Sequence, residues 1–449
     1  MVPPVTNLPT PDRTAEPAAS DSWLGRRIEV TVGPIAHGGH HIARHEGRVV
    51  FVRHSWPGER VEVEITEDRG GSFCRGDAVS ILRPAAARVP PPCPYSGPGR
   101  CGGCDFQHIE AQAQRDAKAA VIRQQLSRLA GLELPVTVEP LSEEVLGWRR
   151  RTRYARTPSG ELGLRRHRSH EVIPIEQCLI SSPGVGDRAS LRAAAELNPG
   201  SGDHDRTREL ALAVDDEGSV AVIEHCFSGS ESRARSTRRG SRAPRVTSTL
   251  LAGPDRLSYS ALGHRYAVRS GGFWQTHPLA AQRFAETVLS QAEPRPGDTV
   301  LDLYAGAGLF TAVLADAVGP TGHVVGVEGD RRAAADGAAN VSHQRWAQVR
   351  TAAVTADTVA ELGTEIDQVD LVVIDPPRSG AGPSVIRALL ELQPRKVIYV
   401  ACDPAALARD LRVALDAGWV VAALLAFDAF PMTHHVECVA TVSRAPSPP

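Results

Sequence analysis

Two lysines, Lys118 and Lys396, are all that 449 residues contain, so nearly all of the positive charge is arginine. No apolar run approaches the roughly 18 residues that a membrane helix requires. The longest, "WVVAALLAF", has the length of one buried strand. The opening "MVPPVTNLPTPDRTAEPAASDSW" lacks the basic start and apolar centre of a secretory signal. Its Pro/Thr/Ser/Ala bias instead predicts a disordered tail over residues 1–22. These absences argue against a membrane-spanning or secreted protein and predict a cytoplasmic one. A net charge of −2 excludes a global field that would draw in nucleic acid.

Local charge differs from the average. Residues 148–170, "WRRRTRYARTPSGELGLRRHRSH", carry eight arginines against one acid, Glu161, with Trp148 and Tyr154 between them. Basic residues interleaved with aromatics suit phosphate contact plus base stacking. The competing interpretation is a solvated arginine face. Upstream, "RVVFV", "RVEVEI" and "AVSIL" alternate apolar and polar residues between Gly/Pro/Asp turns. That pattern predicts about five short strands over 23–85, closing as an OB-like barrel. A helix follows and stops at Gly131, a glycine placed to cap it. Within a central domain expected over 86–270, residues 136–270 are β-rich and broken, and 230–245 is a basic stretch without periodicity, expected to be a mobile loop. From 271 to 445, apolar runs of strand length alternate with helical stretches. This predicts a doubly wound parallel sheet, with the final two strands pairing antiparallel at its edge. The fold class is therefore multidomain α/β.

Three of the eight cysteines, Cys93, Cys101 and Cys104, fall within twelve residues of a Gly/Pro-rich loop. In a reducing compartment such a cluster points to metal rather than disulfides, with Cys178 as the fourth thiolate. Zinc sites usually pair two C-x₂-C hairpins, whereas three clustered thiols plus a distant one favour a [4Fe–4S] cluster over zinc.

In "LDLYAGAGLF" an acid is followed by Gly306 and Gly308, which allow a tight turn and close approach of a ligand. Glu328 ends the next strand, where an acid commonly binds the ribose hydroxyls of a nucleoside. The full G-x-G-x-x-G pattern is missing, which favours a methyl donor over a dinucleotide. Asp375 ends a third strand in "VVIDPPRSG", held by two stiff prolines where it can accept from a base edge. Arg378 stands where enzymes methylating an adenine amino group often carry an aromatic. Cys402 ends the following strand on the same sheet edge. A thiolate adding to carbon 6 of a pyrimidine makes carbon 5 nucleophilic, and a base must then remove the C5 proton. Glu437, beside His434 and His435 on the last strand, can serve as that base.

Taken in order, "CGGCDFQH", "GGFWQTH", "DLYAGAGLF", "DPPRSG", "ACDP" and "THHVE" resemble the family of S-adenosylmethionine-dependent RNA uracil-C5 methyltransferases, from about residue 25 to 445. The resemblance implies a TRAM barrel, a class I methyltransferase domain, Cys402 as nucleophile and Glu437 as base. It implies Gln275, Tyr304, Glu328 and Asp375 as contacts to S-adenosylmethionine or uracil, and Cys93, Cys101, Cys104 and Cys178 as [4Fe–4S] ligands. Phe273 and Trp274 fall where the family puts an aromatic near a flipped base. The expected partner is RNA, 23S ribosomal RNA favoured over transfer RNA, with the protein acting as a monomer. Departures are the longer first cysteine gap "PYSGPGR", Ala305 in the glycine loop, and "ACDP" itself. A rival reading is an RNA-binding or chaperone protein without catalysis; it predicts loss of Cys402, Glu437 or the glycine loop, and all are present.

Overall fold

The computed structural model describes residues 22–197, 207–228 and 245–445. The tail expected over 1–22 and the basic stretch 230–245 fall almost wholly outside them. Two compact units are present, one of residues 1–36 with 40–86 and one of residues 37–39 with 87–449.

The first unit is a five-stranded sheet. In spatial order its strands are Arg27–Thr31, Arg60–Asp68, Phe73–Arg83, Arg48–Arg53 and His41–His45. Alternation decides which side chains turn inward: Val61, Val63 and Ile65 from one strand meet Val50 and Val52 from another, all almost completely buried. Gly76 is required by close approach, since a Cβ there would lie 2.6 Å from the Glu64 carbonyl oxygen. Buried Glu59 accepts from the Trp56 and Ala85 amides at 2.8 and 3.1 Å, which satisfies its carboxylate.

The second unit is built on an eight-stranded sheet. Its order is Ala347–Thr351, His323–Glu328, Thr299–Leu303, Leu371–Ile374, Lys396–Ala401, Glu437–Arg444, Trp419–Asp428 and Val138–Pro140. The first five strands run parallel, and Glu437–Arg444 enters antiparallel beside Lys396–Ala401. Successive residues of Leu371–Ile374 feed opposite cores. Leu371 and Val373 join one cluster with Phe284 and Leu314, whereas Val372 and Ile374 join another with Leu389 and Leu407. Burial on both faces explains why these strands read as unbroken apolar runs.

Both clusters cross the boundary expected at residue 270. The hairpin Arg256–Ala261/His264–Arg269 contributes Leu257, Tyr259 and Tyr266 to the first cluster. Helix Ala111–Gln125, with its π-helical turn Leu126–Ala130, ends at Gly131 with φ +69° and contributes Ile122 and Leu126 to the second. Three-residue Val138–Pro140 then forms the sheet edge in place of the C-terminal pair. Both lysines hold this unit together. Buried Lys118 donates to Asp428 at 2.6 Å, and Lys396 donates to Glu293 at 2.6 Å and to the Gln291 carbonyl at 2.8 Å.

A six-stranded antiparallel sheet carries the central region, running Arg245–Ala252, Val220–Ser228, Thr207–Val214, Arg151–Arg156, Leu162–Arg165 and Val172–Pro174. Here the expectation for the arginine-rich segment needs correcting. Trp148 and Tyr154 are buried in the core beneath this sheet, with the Tyr154 hydroxyl donating to the Val185 carbonyl at 2.9 Å. An indole and a phenol at inward positions are too valuable to burial to stand out as stacking platforms. Arg150 pairs with Asp216, Arg153 and Arg165 with Glu209, and Arg166 with Glu171, so part of the positive charge is met internally.

Candidate active site

Strand ends along one edge of the eight-stranded sheet open into a cavity of about 1270 Å³. Phe273, Gln275, Tyr304 and Gly306 line it, and so do Glu328, Asp375, Cys402 and Glu437. Eight of the residues singled out from the sequence for methyl donor, uracil or chemistry thus line one space, whereas Gly308 and Trp274 do not.

The half built on Thr299–Leu303 turns sharply. Tyr304, Gly306 and Gly308 all have left-handed backbones, with φ of +66°, +55° and +85°. Only Tyr304 bears the cost of a side chain there, the kind of strain that persists where surrounding contacts over-determine it. The loop lies tightly on helix Arg331–Asn340, where a Cβ on Gly337 would come 3.0 Å from the Gly306 carbonyl oxygen. Glu328 closes this half. Its two carboxylate oxygens accept from the Gly306 amide at 2.9 Å and the Asp330 amide at 2.7 Å, fixing the group while leaving lone pairs free for hydroxyl donors.

The other half comes from strand register. Ala401 pairs with Cys438 across the antiparallel ladder. One residue beyond that pair, Cys402 and Glu437 both line the cavity and the Glu437 charge reaches the Cys402 thiol, while Ala401 and Cys438 pack in the core. Asp375 follows the neighbouring strand. These three acidic groups share a poorly solvated space. Burial, then the Glu437 and Asp375 charges, push the Cys402 thiol up to about 12, with Arg378 opposing. Burial and the charge of Asp302 raise Asp375 to about 7. Glu437, 6% exposed, is raised well above the usual carboxylate range by burial and by Asp375. Arg378 is the cation acting on both Cys402 and Glu437, and its Nη2 meets His435 Nε2 at 3.3 Å. Burial first, then the neighbouring His434 and Arg378, push His435 down to about 3, so its ring is a neutral acceptor for the guanidinium.

Phe273 is 66% exposed and stands free at the cavity, whereas Trp274 is 5% exposed. Trp274 stacks on Tyr259 at 5.1 Å and packs against Tyr266 at 4.9 Å, so of the two aromatics only Phe273 remains available to a base. Arg378 escaped notice as a functional group because the sequence showed it only as an absent aromatic. Fully buried Asp302, bonded by the Thr311 hydroxyl at 2.5 Å and raised to about 6 by burial, was likewise read only as the acid of a turn.

The cysteines gather at one place. Cys101 and Cys104 feel the charge of Cys178 and of a neighbour in the loop, and Cys93 feels that of Cys178. All four thiols are free. Burial raises Cys93, takes Cys101 to about 11 and lifts Cys104 further. The Gly103 amide donates to Cys101 Sγ at 3.4 Å and Gln107 Nε2 to Cys104 Sγ at 3.3 Å. Among the described residues, however, no group of three or more His, Cys, Asp or Glu side chains is arranged to hold a metal ion, so the expected metal centre is not shown. Nor, among the described residues, is any helix long and apolar enough to cross a membrane.

Comparison with known proteins agrees with this arrangement. Residues 255–445 match the family model for tRNA (uracil-5-)-methyltransferase, and residues 22–79 match the TRAM domain. An uncharacterized RNA methyltransferase of Streptomyces avermitilis is 43% identical, the alignment covering 94% of this chain and 99% of that one. The 23S rRNA (uracil(1939)-C(5))-methyltransferase RlmD of Alkalilimnicola ehrlichii is 31% identical over 93% of this chain and 96% of its own. In fold, the chain is similar to the tRNA (uracil-54, C5)-methyltransferase of Pyrococcus abyssi solved with S-adenosyl-L-homocysteine. That match has a TM-score of 0.66 at 22% identity and covers 92% of this chain and 99% of that one. With sequence, sheet order and cavity in agreement, the chain belongs to the family of S-adenosylmethionine-dependent RNA uracil-C5 methyltransferases that carry a TRAM domain.

Proposed function

We propose that this protein methylates carbon 5 of a uridine in 23S ribosomal RNA through a covalent adduct at Cys402. The observation that carries the reading is that Cys402 and Glu437, each next to a member of the Ala401–Cys438 ladder pair, line the same cavity. The bound methyl donor supplies an electrophilic methyl group. Glu328 and the Gly306 turn orient it, and Gln275, Tyr304 and Asp375 contact donor or uracil. Asp375 accepts from the base edge, and Phe273 stacks on the extruded base. With its proton lost to solvent, the Cys402 thiolate adds to C6, and the C5 that becomes electron-rich takes the methyl group as the methyl's bond to the donor's sulfonium sulfur breaks and a neutral thioether leaves. Glu437 then takes the C5 proton, the C5–C6 double bond re-forms, and the C6–S bond breaks to return the thiolate. Arg378 offsets the negative charge that ionising Cys402 adds to a pocket already holding Asp375 and Glu437.

The ribosomal lean rests on relatives 31% and 30% identical that are named for the 23S reaction. Nucleoside analysis of RNA from a strain lacking the gene, treated with protein and labelled donor, tests it. 5-Methyluridine in the 23S fraction is expected; label in transfer RNA would replace the substrate, and no 5-methyluridine would end the reading. Cys402→Ala should lower turnover by on the order of 10³-fold while RNA binding persists. Glu437→Gln should instead accumulate an RNA–protein adduct that survives denaturing electrophoresis. Full turnover in either variant would sink the mechanism.

Cys93, Cys101, Cys104 and Cys178 suit a [4Fe–4S] cluster by their donor set: four free thiols, the first three of which feel the charge of Cys178, with N–H donors aimed at two of the sulfurs. The cluster would brace this loop. Anaerobic purification should yield iron and acid-labile sulfide in equal amounts, and zinc alone would replace the assignment.

A further inference from the structure

The segment 430–437, which leads into Glu437, is held by the residues immediately after Cys104. The Asp105 and Phe106 amides both donate to the Met432 carbonyl, at 2.9 and 3.0 Å. Asp105 Oδ2 accepts twice from His434, from its backbone amide at 3.1 Å and from ring Nδ1 at 2.6 Å. Gln114, on the following helix, completes the hold: its Oε1 accepts from the Met432 amide at 2.9 Å and its Nε2 meets Met432 Sδ at 3.4 Å. Met432 needs this many partners because its φ is +68°, a left-handed backbone that a residue with a side chain adopts only when its neighbours leave no alternative. Nothing in Pro431–Thr433 is helical or strand-like, so no ladder fixes this turn. Asp105, His434 and Glu437 all line the same cavity.

We propose that Asp105 is a positioning residue for proton abstraction: by gripping His434 and Met432 it fixes the turn from which Glu437 reaches the substrate. The inference rests on the roles given above to Cys402 and Glu437. It assigns the cysteine loop a part in one chemical step, beyond bracing the fold. Asp105 is placed here to act through His434 and Met432. Its contribution lies in the two charge-assisted bonds that keep the loop in its single productive arrangement.

The full-length protein tests this with Asp105→Ala, Asp105→Asn and His434→Ala, with Glu437→Gln alongside. Asp105→Ala should lower kcat by about 10- to 100-fold, as expected for loss of a charge-assisted bond, with the KM for RNA changed by less than about threefold. The step that slows follows methyl transfer, so the methylated RNA–protein adduct should accumulate at steady state. Asp105→Asn keeps an acceptor oxygen and should restore most of kcat. If Asp105→Ala fails to fold, His434→Ala, which leaves the cysteine loop intact, carries the same expectation of lowered kcat with adduct. Adduct in Glu437→Gln but in neither Asp105→Ala nor His434→Ala overturns the inference alone. So does an unchanged kcat, or a loss confined to KM. No adduct in Glu437→Gln overturns the proton-abstraction reading and this inference with it.

Discussion

Asp375 shows what one buried acid costs. Its carboxyl is raised to about 7, while in the unfolded chain it ionises near the ordinary value of about 4. Between those limits the folded protein holds a proton that the unfolded chain has released. Stability therefore falls as pH rises through that window and stays lower above it. Asp375→Asn removes the effect. Its denaturation midpoint should exceed that of the parent above pH 7, the gain should shrink towards pH 4, and methyl transfer should drop. An equal gain at all pH values would mean that another group carries the titration. At this scale the sequence was a good guide wherever a residue sits at a strand end. Gly306, Glu328, Asp375 and Cys402 each follow an apolar run, so the sheet itself brings them to one edge. It misled where inward packing took the side chain away, as with Tyr154 and Trp274. Alternation tells which residues face opposite ways, without saying which of the two ways meets solvent.

Among the elements, the last two strands and helix Ala111–Gln125 are joined by an interaction no local pattern announces. Lys118 and Asp428 lie 310 residues apart in the chain, and their side chains are 1% and 3% exposed. Removing the ammonium leaves a buried carboxylate without its counter-charge, so Lys118→Ala should destabilise the protein by about 3–5 kcal/mol in chemical denaturation. Replacing both partners with apolar residues of similar size should recover much of that loss. A cost no larger than that of a surface alanine would show that water reaches the pair. Asp105 and His434, 329 residues apart, were invisible for the same reason. Strand register is different. The alternation in "HHVECVATVSRA" already implied that Glu437 and Cys438 face opposite ways, though not that Cys402 would line the same cavity as Glu437.

On the scale of the whole chain, every residue lining the cavity belongs to the second compact unit, from Gly102 onward, while the first has its own core around Val50, Val61 and Val63. A protein beginning at Ala87 should therefore bind S-adenosylhomocysteine as the full chain does, while its KM for RNA rises. Loss of donor binding on truncation would mean that the catalytic unit depends on the barrel for its fold. Both lysines also have a consequence for chemistry done to the protein from outside. One ammonium is sealed in the interior against Asp428, and the other is committed to Glu293 and the Gln291 carbonyl. Acylating reagents, and enzymes that acetylate or otherwise cap lysine, thus find a single partly exposed side-chain amine on this molecule, that of Lys396. The positive charge available to RNA is thus nearly all guanidinium, which stays protonated, presents a planar fork to phosphate and is closed to regulation by lysine acetylation.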